Sequence, residues 1–480
     1  MGIDRLFDFF AVKKTTDIVL VMCPGWGVTQ PPVGISYLKG FLEQSGIKTQ
    51  CLDLNVELYK SFSEKKYWEL NYPEHFMIPE TFEKDILPGL RPFLSSWAKQ
   101  ILSYKPKIVG FSLFMSNVNA AILLAKELKK MNPHLIIVAG GPEVSRFKKI
   151  VVDKGQRMAV LNQELLTCFD LLIEGEGEYI LQELMQRVRE RVDIYDLENT
   201  FFQTNEKIIL SKQRLPIKDL DVLAPPDFSD FSFEKYTQKT LPLMTSRGCV
   251  NRCAFCADSP LWKNYRQQSA AKAFQDIHFL IKKYGIKNFE IVDSIFNADI
   301  GRLEKICDLI NEAGIRIRWS AKATIRKEMT PALMAKMKKA GCADLGYGIE
   351  SGSPRVLSEM RKNLVLCDAE KVIRDTYEAG IRANCFFLIG FPTETEEDFN
   401  LTMDFISKNA PYIWRFDQIT GCHIEEDSYL GSHLNEYGVT LEKGGWCSDK
   451  STPDIRRQRL NRFRDFARQL HSHYQCEVQE

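Results

Sequence analysis

The second half of this 480-residue chain repeats one unit: a short apolar run, then a longer stretch that mixes apolar and polar residues. The runs fall at 241–245, 289–292, 317–321, 343–349, 383–389 and 416–419. Short, continuous apolar runs belong to strands buried on both faces, and strands separated by single helices pair in parallel. Four of the intervening stretches end alike, at Gly285, Gly314, Gly341 and Gly380, where a helix stops on a left-handed residue. In the first of them Phe274, Ile277, Ile281 and Tyr284 share one face. The remaining positions are largely polar, as on a helix packed outside a barrel. A parallel βα repeat of this kind permits a full or a partial barrel, with its chemistry at the carboxyl ends of the strands.

The first half alternates in the same way. Runs at 17–22, 48–54, 108–112, 135–139 and 170–173 read as strands, with helices such as 32–42 and 119–130 between them. This is the pattern of a doubly wound parallel sheet. An insertion rich in aromatics, 59–97, separates the second and third runs. Pro and Asp in the stretch 215–228 argue against a helix, and its interleaved Leu, Ile and Phe argue for an ordered connector. Beyond residue 429 the repeat is lost, and 455–470 reads as a basic helix. The expected organisation is therefore α/β throughout: a Rossmann-like unit over 1–192, a connector over 193–238, a barrel over 239–430 and a small helical extension over 431–480.

Formal net charge is +1, which points to neither bulk nucleic acid nor a membrane surface as partner. No apolar run reaches the length of a transmembrane helix. The N-terminus shows no charged-then-apolar leader, and 13 cysteines in 480 residues are too few for a disulfide scaffold. A reducing cytoplasm is the expected setting.

Directly after the first barrel run stand Cys249, Cys253 and Cys256, spaced C-x3-C-x2-C. A structural zinc site usually has four ligands, often as two C-x2-C pairs. Here Cys307, Cys342, Cys367, Cys385, Cys422, Cys447 and Cys476 are scattered singly. Three thiolates leave one metal position open, which favours a reactive iron–sulfur site over a closed zinc site or disulfides.

The segment 245–256 closely resembles the cluster motif of the radical S-adenosylmethionine (radical SAM) enzymes, and the resemblance extends to about residue 430. It implies a partial (β/α)6 TIM-like barrel in which the three cysteines hold a [4Fe-4S] cluster and SAM chelates the fourth iron. An electron from the cluster then cleaves SAM to a 5′-deoxyadenosyl radical. The resemblance further implies that Phe255 lies near the adenine and that Asp293 accepts from the SAM amino group; a turn or helix-cap aspartate is the plainer reading of Asp293. It places Glu350 and Ser351, in Gly348-Ile349-Glu350-Ser351-Gly352-Ser353, at the ribose or amino acid part. Gly390, in Gly390-Phe391-Pro392-Thr393-Glu394-Thr395, backs the adenine, while Thr393 and Glu396 open the next helix. Arg326 is a candidate partner of the SAM carboxylate, with Lys322 beside it; for both, a solvated charge is an equal reading.

The N-terminal half, with its Pro-Pro-Val-Gly-Ile-Ser-Tyr-Leu, Gly-Phe-Ser, Gly-Gly-Pro and Glu-Gly-Glu-Gly-Glu segments, resembles the cobalamin-binding class of these enzymes. That implies a corrinoid on the carboxyl edge of the sheet, near Ser112, Met115 and Asn117, with its tail passing Gly140 and Gly141. The chain lacks the D-x-H-x-x-G ligand motif: its histidines are at 75, 134, 278, 423, 433, 471 and 473, and none follows the third strand. The implied reaction is cobalamin-dependent methylation of an unactivated carbon on a small-molecule, lipid or peptide substrate, with flavodoxin or ferredoxin as electron donor. One alternative is a cobalamin-free radical SAM enzyme that dehydrates, cyclises or rearranges its substrate. Another is a non-catalytic iron–sulfur protein. Substrate choice is expected in the aromatic insertion, in Asp417, Thr420 and His423, and in Gly444-Gly445-Trp446.

Overall fold

Each apolar run read as a strand lies in one of two largely parallel sheets of the computed structural model. The structure describes residues 15–68, 74–154, 163–205, 207–442, 445–474 and 477–478. It divides into two units, Met1–Lys218 with Val222–Lys239, and Asp219–Asp221 with Thr240–Glu480.

In the first unit, strands β1 (Ile18–Met22), β2 (Thr49–Asp53), β3 (Ile108–Ser112), β4 (Ile136–Gly140) and β5 (Leu171–Ile173) pair in parallel in the order β2-β1-β3-β4-β5. The sheet continues into the stretch expected to be connector. β6 (Thr200–Thr204) joins β5 antiparallel, and β7 (Lys207–Leu210) pairs with β6. The rest of that stretch, apart from Asp219–Asp221, folds back on the same unit because it satisfies buried polar groups there. Lys39 Nζ donates to Asp230 Oδ2 (2.5 Å) and Ser229 Oγ (3.0 Å), Cys51 N donates to Asp230 Oδ2 (2.7 Å), and Tyr236 Oη donates to Asp53 Oδ2 (2.8 Å). Leaving such groups unpaired away from water costs several kcal/mol on the order of a lost hydrogen bond each.

Part of the aromatic insertion is also structural. Phe76, Phe82, Ile86, Leu90 and Trp97 are buried in the core on one face of this sheet, so they are not free to contact a substrate; residues 69–73 of the insertion lie outside the described residues.

The second unit holds β8 (Leu241–Leu243), the two-residue strands β9 (Ser246–Arg247) and β10 (Arg266–Gln267), then β11 (Asn288–Ile291), β12 (Arg318–Ala323), β13 (Cys342–Glu350), β14 (Arg382–Ile389) and β15 (Arg415–Gly421). The main sheet runs β15-β14-β13-β12-β11-β8 and is parallel throughout. The six expected strands therefore stand in sequence order, as in a partial barrel, and β18 (Glu477–Val478) adds a short seventh at one edge. Gly285, Gly314, Gly341 and Gly380 all have positive φ where their helices stop. Helix Glu396–Asn409 is capped by Thr395 in a capping box with Asp398, so Thr395 fills the helix-opening role read for Thr393 and Glu396. The extension beyond the barrel forms a hairpin, β16 (Thr440–Glu442) with β17 (Gly445–Cys447), and helix Pro453–Tyr474. Gly444 and Cys476 lie outside the described residues. Among the described residues no helix is long and apolar enough to cross a membrane.

Candidate functional site

Strands β9 and β10 pair antiparallel, Ser246 opposite Gln267 and Arg247 opposite Arg266. The chain between them therefore leaves and returns at one point, and this closed loop carries Cys249, Cys253 and Cys256. The loop is gripped on both sides at Ala254, whose N–H donates to Met360 O (2.8 Å) and whose carbonyl accepts from Leu430 N (2.7 Å). Arg252 ties its ends together, Nη1 to Cys249 O (2.7 Å) and Nη2 to Lys263 O (3.1 Å).

All three thiols are free and half-buried. Burial raises the pKa of each, that of Cys256 to about 12 with help from the Asp258 charge. A metal must therefore displace thiol protons on entry. Among the described residues no three metal-capable side chains are already gathered around a point. The donor set itself, three soft thiols on one anchored loop, suits an iron–sulfur cluster with an open position.

Asp293, at the exit of β11, has only 1% of its surface exposed and is fully used by the chain. Its Oδ1 accepts from Thr245 N (2.6 Å) and Ser246 N (3.0 Å), and its Oδ2 from Thr245 Oγ1 (2.7 Å) and Ser246 Oγ (2.8 Å). Four donors fill the four lone-pair sites of a carboxylate. Burial raises its pKa, against these hydrogen bonds and the nearby Arg302 guanidinium. Asp293, read as a SAM amine ligand or as a turn or helix-cap aspartate, here holds the root of the cysteine loop, and the next helix is capped by Asp299 instead. Asp293→Ala strands two backbone N–H groups at about 1–3 kcal/mol each. It is expected to lower both the melting temperature and the iron content after reconstitution. Normal iron content with weakened SAM binding would return Asp293 to a ligand role.

Glu350 is a second, largely buried acid of the site, its side chain 13% exposed. It is a non-glycine residue at φ 67°, and Ser351 N bonds back to Ile349 O (2.9 Å) around it. This i to i+2 bond with positive φ makes a γ-turn of the rare, strained kind, set in a register shift between β13 and β14. Strain and bulges of this sort collect at functional sites. Glu350 Oε1 accepts from Lys362 Nζ at 2.9 Å. Both groups fold over Gly348, where a Cβ would stand 2.8 Å from Lys362 Nζ and closer still to the carboxylate. The glycine leaves room for the ion pair at this place. Burial presses the Lys362 pKa down, but Glu350 and Cys253 more than offset this and leave it raised.

The other predicted SAM residues separate into two groups. Phe255 stays beside the cysteines, packed against a cluster that includes Val356, Phe391, Leu430 and Trp446. Ser351 is fully buried, its Oγ accepting from Ser353 N (3.1 Å). Gly390 spends both backbone groups internally: its N–H donates to Glu394 Oε2 (2.8 Å) and its carbonyl accepts from Ser451 Oγ (2.7 Å). Arg326 turns to Ala298 O (2.5 Å) and Glu328, and Lys322 is exposed. Sequence reasoning missed Lys362 and the grip of the C-terminal segment, through Leu430 and Ser451. Trp446 is buried, with its Nε1 on Cys422 O (3.1 Å), so it acts in this packing.

In the first unit the loops at the carboxyl edge of the sheet are knitted together. Leu113 N donates to Gly140 O (2.7 Å), Ser116 Oγ to Gly25 O, and Trp26 stacks on Phe114 at 3.7 Å between ring centres. Ser112 and Met115 remain partly exposed. Asn117 is fully buried: its Oδ1 accepts from Phe114 N (2.9 Å) and its Nδ2 donates to Ser112 O (3.0 Å). It shapes the loop from inside rather than presenting a group to a ligand. Gly141 has φ 104° and no room for a Cβ, which would lie 2.6 Å from Leu113 O, whereas at Gly140 nothing comes nearer than 3.6 Å.

The Radical SAM superfamily model matches residues 243–406. This stretch is a radical SAM domain. It spans the cysteine loop and the exits of β11, β12, β13 and β14. The chain is 28% identical to an uncharacterized methyltransferase of Pyrococcus horikoshii, over 76% of either sequence. It is 23% identical to the cytidylyl-2-hydroxyethylphosphonate methyltransferase of Streptomyces wedmorensis, over 75% of this chain and 69% of that one. Its fold matches the radical S-adenosylmethionine methyltransferase TsrM of Kitasatospora setae, solved with cobalamin and a [4Fe-4S] cluster bound. That match has a TM-score of 0.62 at 17% identity and covers 91% of this chain and 82% of TsrM. Both units of the chain thus share the fold of that enzyme.

Proposed function

We propose that this radical SAM chain methylates an unactivated carbon with the help of cobalamin. The observation that carries the reading is the whole-chain fold: a radical SAM domain preceded by a Rossmann-like sheet, an arrangement shared with the cobalamin-bound TsrM. An inert C–H bond offers neither an acid nor a nucleophile, so the bound cofactors supply the hard chemistry: an electron for SAM cleavage and a carrier for the methyl group.

The protein's own part is to bind, orient and exclude water. Cys249, Cys253 and Cys256 hold the cluster. Phe255 flanks the adenine, and Glu350 accepts from the ribose hydroxyls or the amino group through Oε2, the oxygen that Lys362 leaves open. Ser112, Met115 and Gly140 face the corrinoid, while Asn117 and Gly141 hold the loop that carries them. A low-potential donor of the flavodoxin or ferredoxin class and a reducing cytoplasm belong to the same reading.

The test is anaerobic purification with cobalamin supplied, followed by mass analysis of products formed from methyl-labelled SAM. Labelled methyl on a carbon of the product is expected. Deoxyadenosine without methylated product would favour a cobalamin-free enzyme instead. One observation favours that second reading: Asn117 and Gly141 are explained by the chain's own packing, which a sheet without cobalamin would also keep.

Glu350→Gln is expected to weaken SAM binding by about 1.5–3 kcal/mol, the value of a charge-assisted hydrogen bond, with iron content near normal. Calorimetric titration with SAM checks this, and unchanged affinity would remove Glu350 from the SAM site.

A further inference from the structure

Lys362 stands where no sequence motif places a functional group. Its ammonium carries three N–H donors, and among the described residues Glu350 Oε1 takes one of them. The side chain is 10% exposed, so bulk water is largely kept from the other two. An under-bonded ammonium in such a place is costly unless something else accepts from it. The surroundings indicate what that is. Met360, two residues earlier, receives the Ala254 N–H from the middle of the cysteine loop, so the segment carrying Lys362 lies along the loop. The Lys362 charge is felt at Cys253 and Cys249. The strained γ-turn at Glu350 and the missing side chain at Gly348 both serve to keep the ammonium there.

We propose that Lys362 donates to the sulfur face of the cluster on its Cys253 side and, with Glu350 as counterweight, sets the cluster's reduction potential. The inference rests on the cluster reading above. Its physical basis is that reduction adds negative charge to the cluster. A nearby cation, and hydrogen bonds to sulfur, stabilise the reduced form and raise the potential; a nearby anion lowers it. Lys362 is therefore a tuning residue in contact with the cofactor, and Glu350 acts on the potential with the opposite sign.

The experiment is an EPR-monitored redox titration of the reconstituted full chain without SAM, in wild type, Lys362→Gln, Lys362→Arg and Glu350→Gln. Lys362→Gln is expected to shift the midpoint to more negative potential and Glu350→Gln to more positive potential. Lys362→Arg, which keeps the charge, should stay close to wild type. A role confined to packing would not sort the variants by charge. Loss of the cluster in Lys362→Gln alone, with Lys362→Arg still loaded, is the same effect in stronger form and supports the proposal. Equal midpoints in all four proteins overturn it, as does loss of the cluster from Lys362→Arg and Lys362→Gln alike. A wild-type protein that takes up no [4Fe-4S] cluster overturns the cluster reading and this inference together. That outcome is recognised at loading, before any midpoint is measured.

Discussion

Cys249→Ala, Cys253→Ala and Cys256→Ala are each expected to give colourless protein after anaerobic reconstitution, with SAM cleavage lost completely. Each substitution leaves two thiolates on the loop, and a second iron, besides the one left open for SAM, then has no protein ligand. No other cysteine lies on this loop to replace it. Cys307 is fully buried, its thiol pushed up to about 12 by burial, and Cys447 sits on β17 in the extension. Cys307→Ala and Cys447→Ala are therefore the controls: both should keep the brown absorbance and SAM cleavage. The loop itself should survive loss of a thiol. Its anchors at Ala254, Arg252 and Asp293 use backbone and oxygen groups rather than sulfur. Iron analysis and the visible spectrum measure the first effect, and deoxyadenosine release the second. A variant lacking all three cysteines that still shows a [4Fe-4S] signal would falsify the assignment.

The sequence made the architecture legible because its signals are local. A strand buried on both faces announces itself as an apolar run, and a helix that stops on Gly285 or Gly380 does so through one residue's backbone freedom. The cysteine loop was legible for the same reason: three ligands lie within one turn of chain. What escaped notice depends on contacts far apart in sequence. Asp293 looks like any acid at a strand exit until Thr245 and Ser246 are brought against it across β8. Lys362 reads as a surface charge, since nothing in Met-Arg-Lys-Asn indicates that a carboxylate 12 residues earlier folds back to meet it. The aromatics of the insertion carry no mark that separates a core residue from a substrate contact. The hairpin β6–β7 was hidden because an edge hairpin is only partly buried, and its pattern is weaker than that of a central strand.

Cobalamin uptake is the second place where a single substitution should have an all-or-none effect, and the structure changes which substitution is decisive. The two glycines after β4 are not equivalent. Gly141 is strained for any other residue, by its φ of 104° and by Leu113 O at 2.6 Å from a built Cβ. A side chain there disturbs the loop whether or not a cofactor binds, so its loss of binding says little. Gly140 has backbone open to any residue and first meets a neighbour at 3.6 Å. Gly140→Ala should fold normally, and Gly140→Leu should fill the channel proposed for the nucleotide tail. The expected result for Gly140→Leu is loss of the corrinoid spectrum with iron content unchanged, because the cysteines belong to the other unit. Any cobalamin held by the wild type should lack an imidazole ligand, since the β3 loop offers Ser112, Met115 and Ser116 but no histidine. Its Co(II) EPR spectrum should then show no nitrogen superhyperfine splitting. Wild-type cobalamin content in Gly140→Leu would move the tail away from this glycine. A wild type that binds no cobalamin under any anaerobic condition would leave the N-terminal sheet as scaffold, with the chemistry confined to SAM and the cluster.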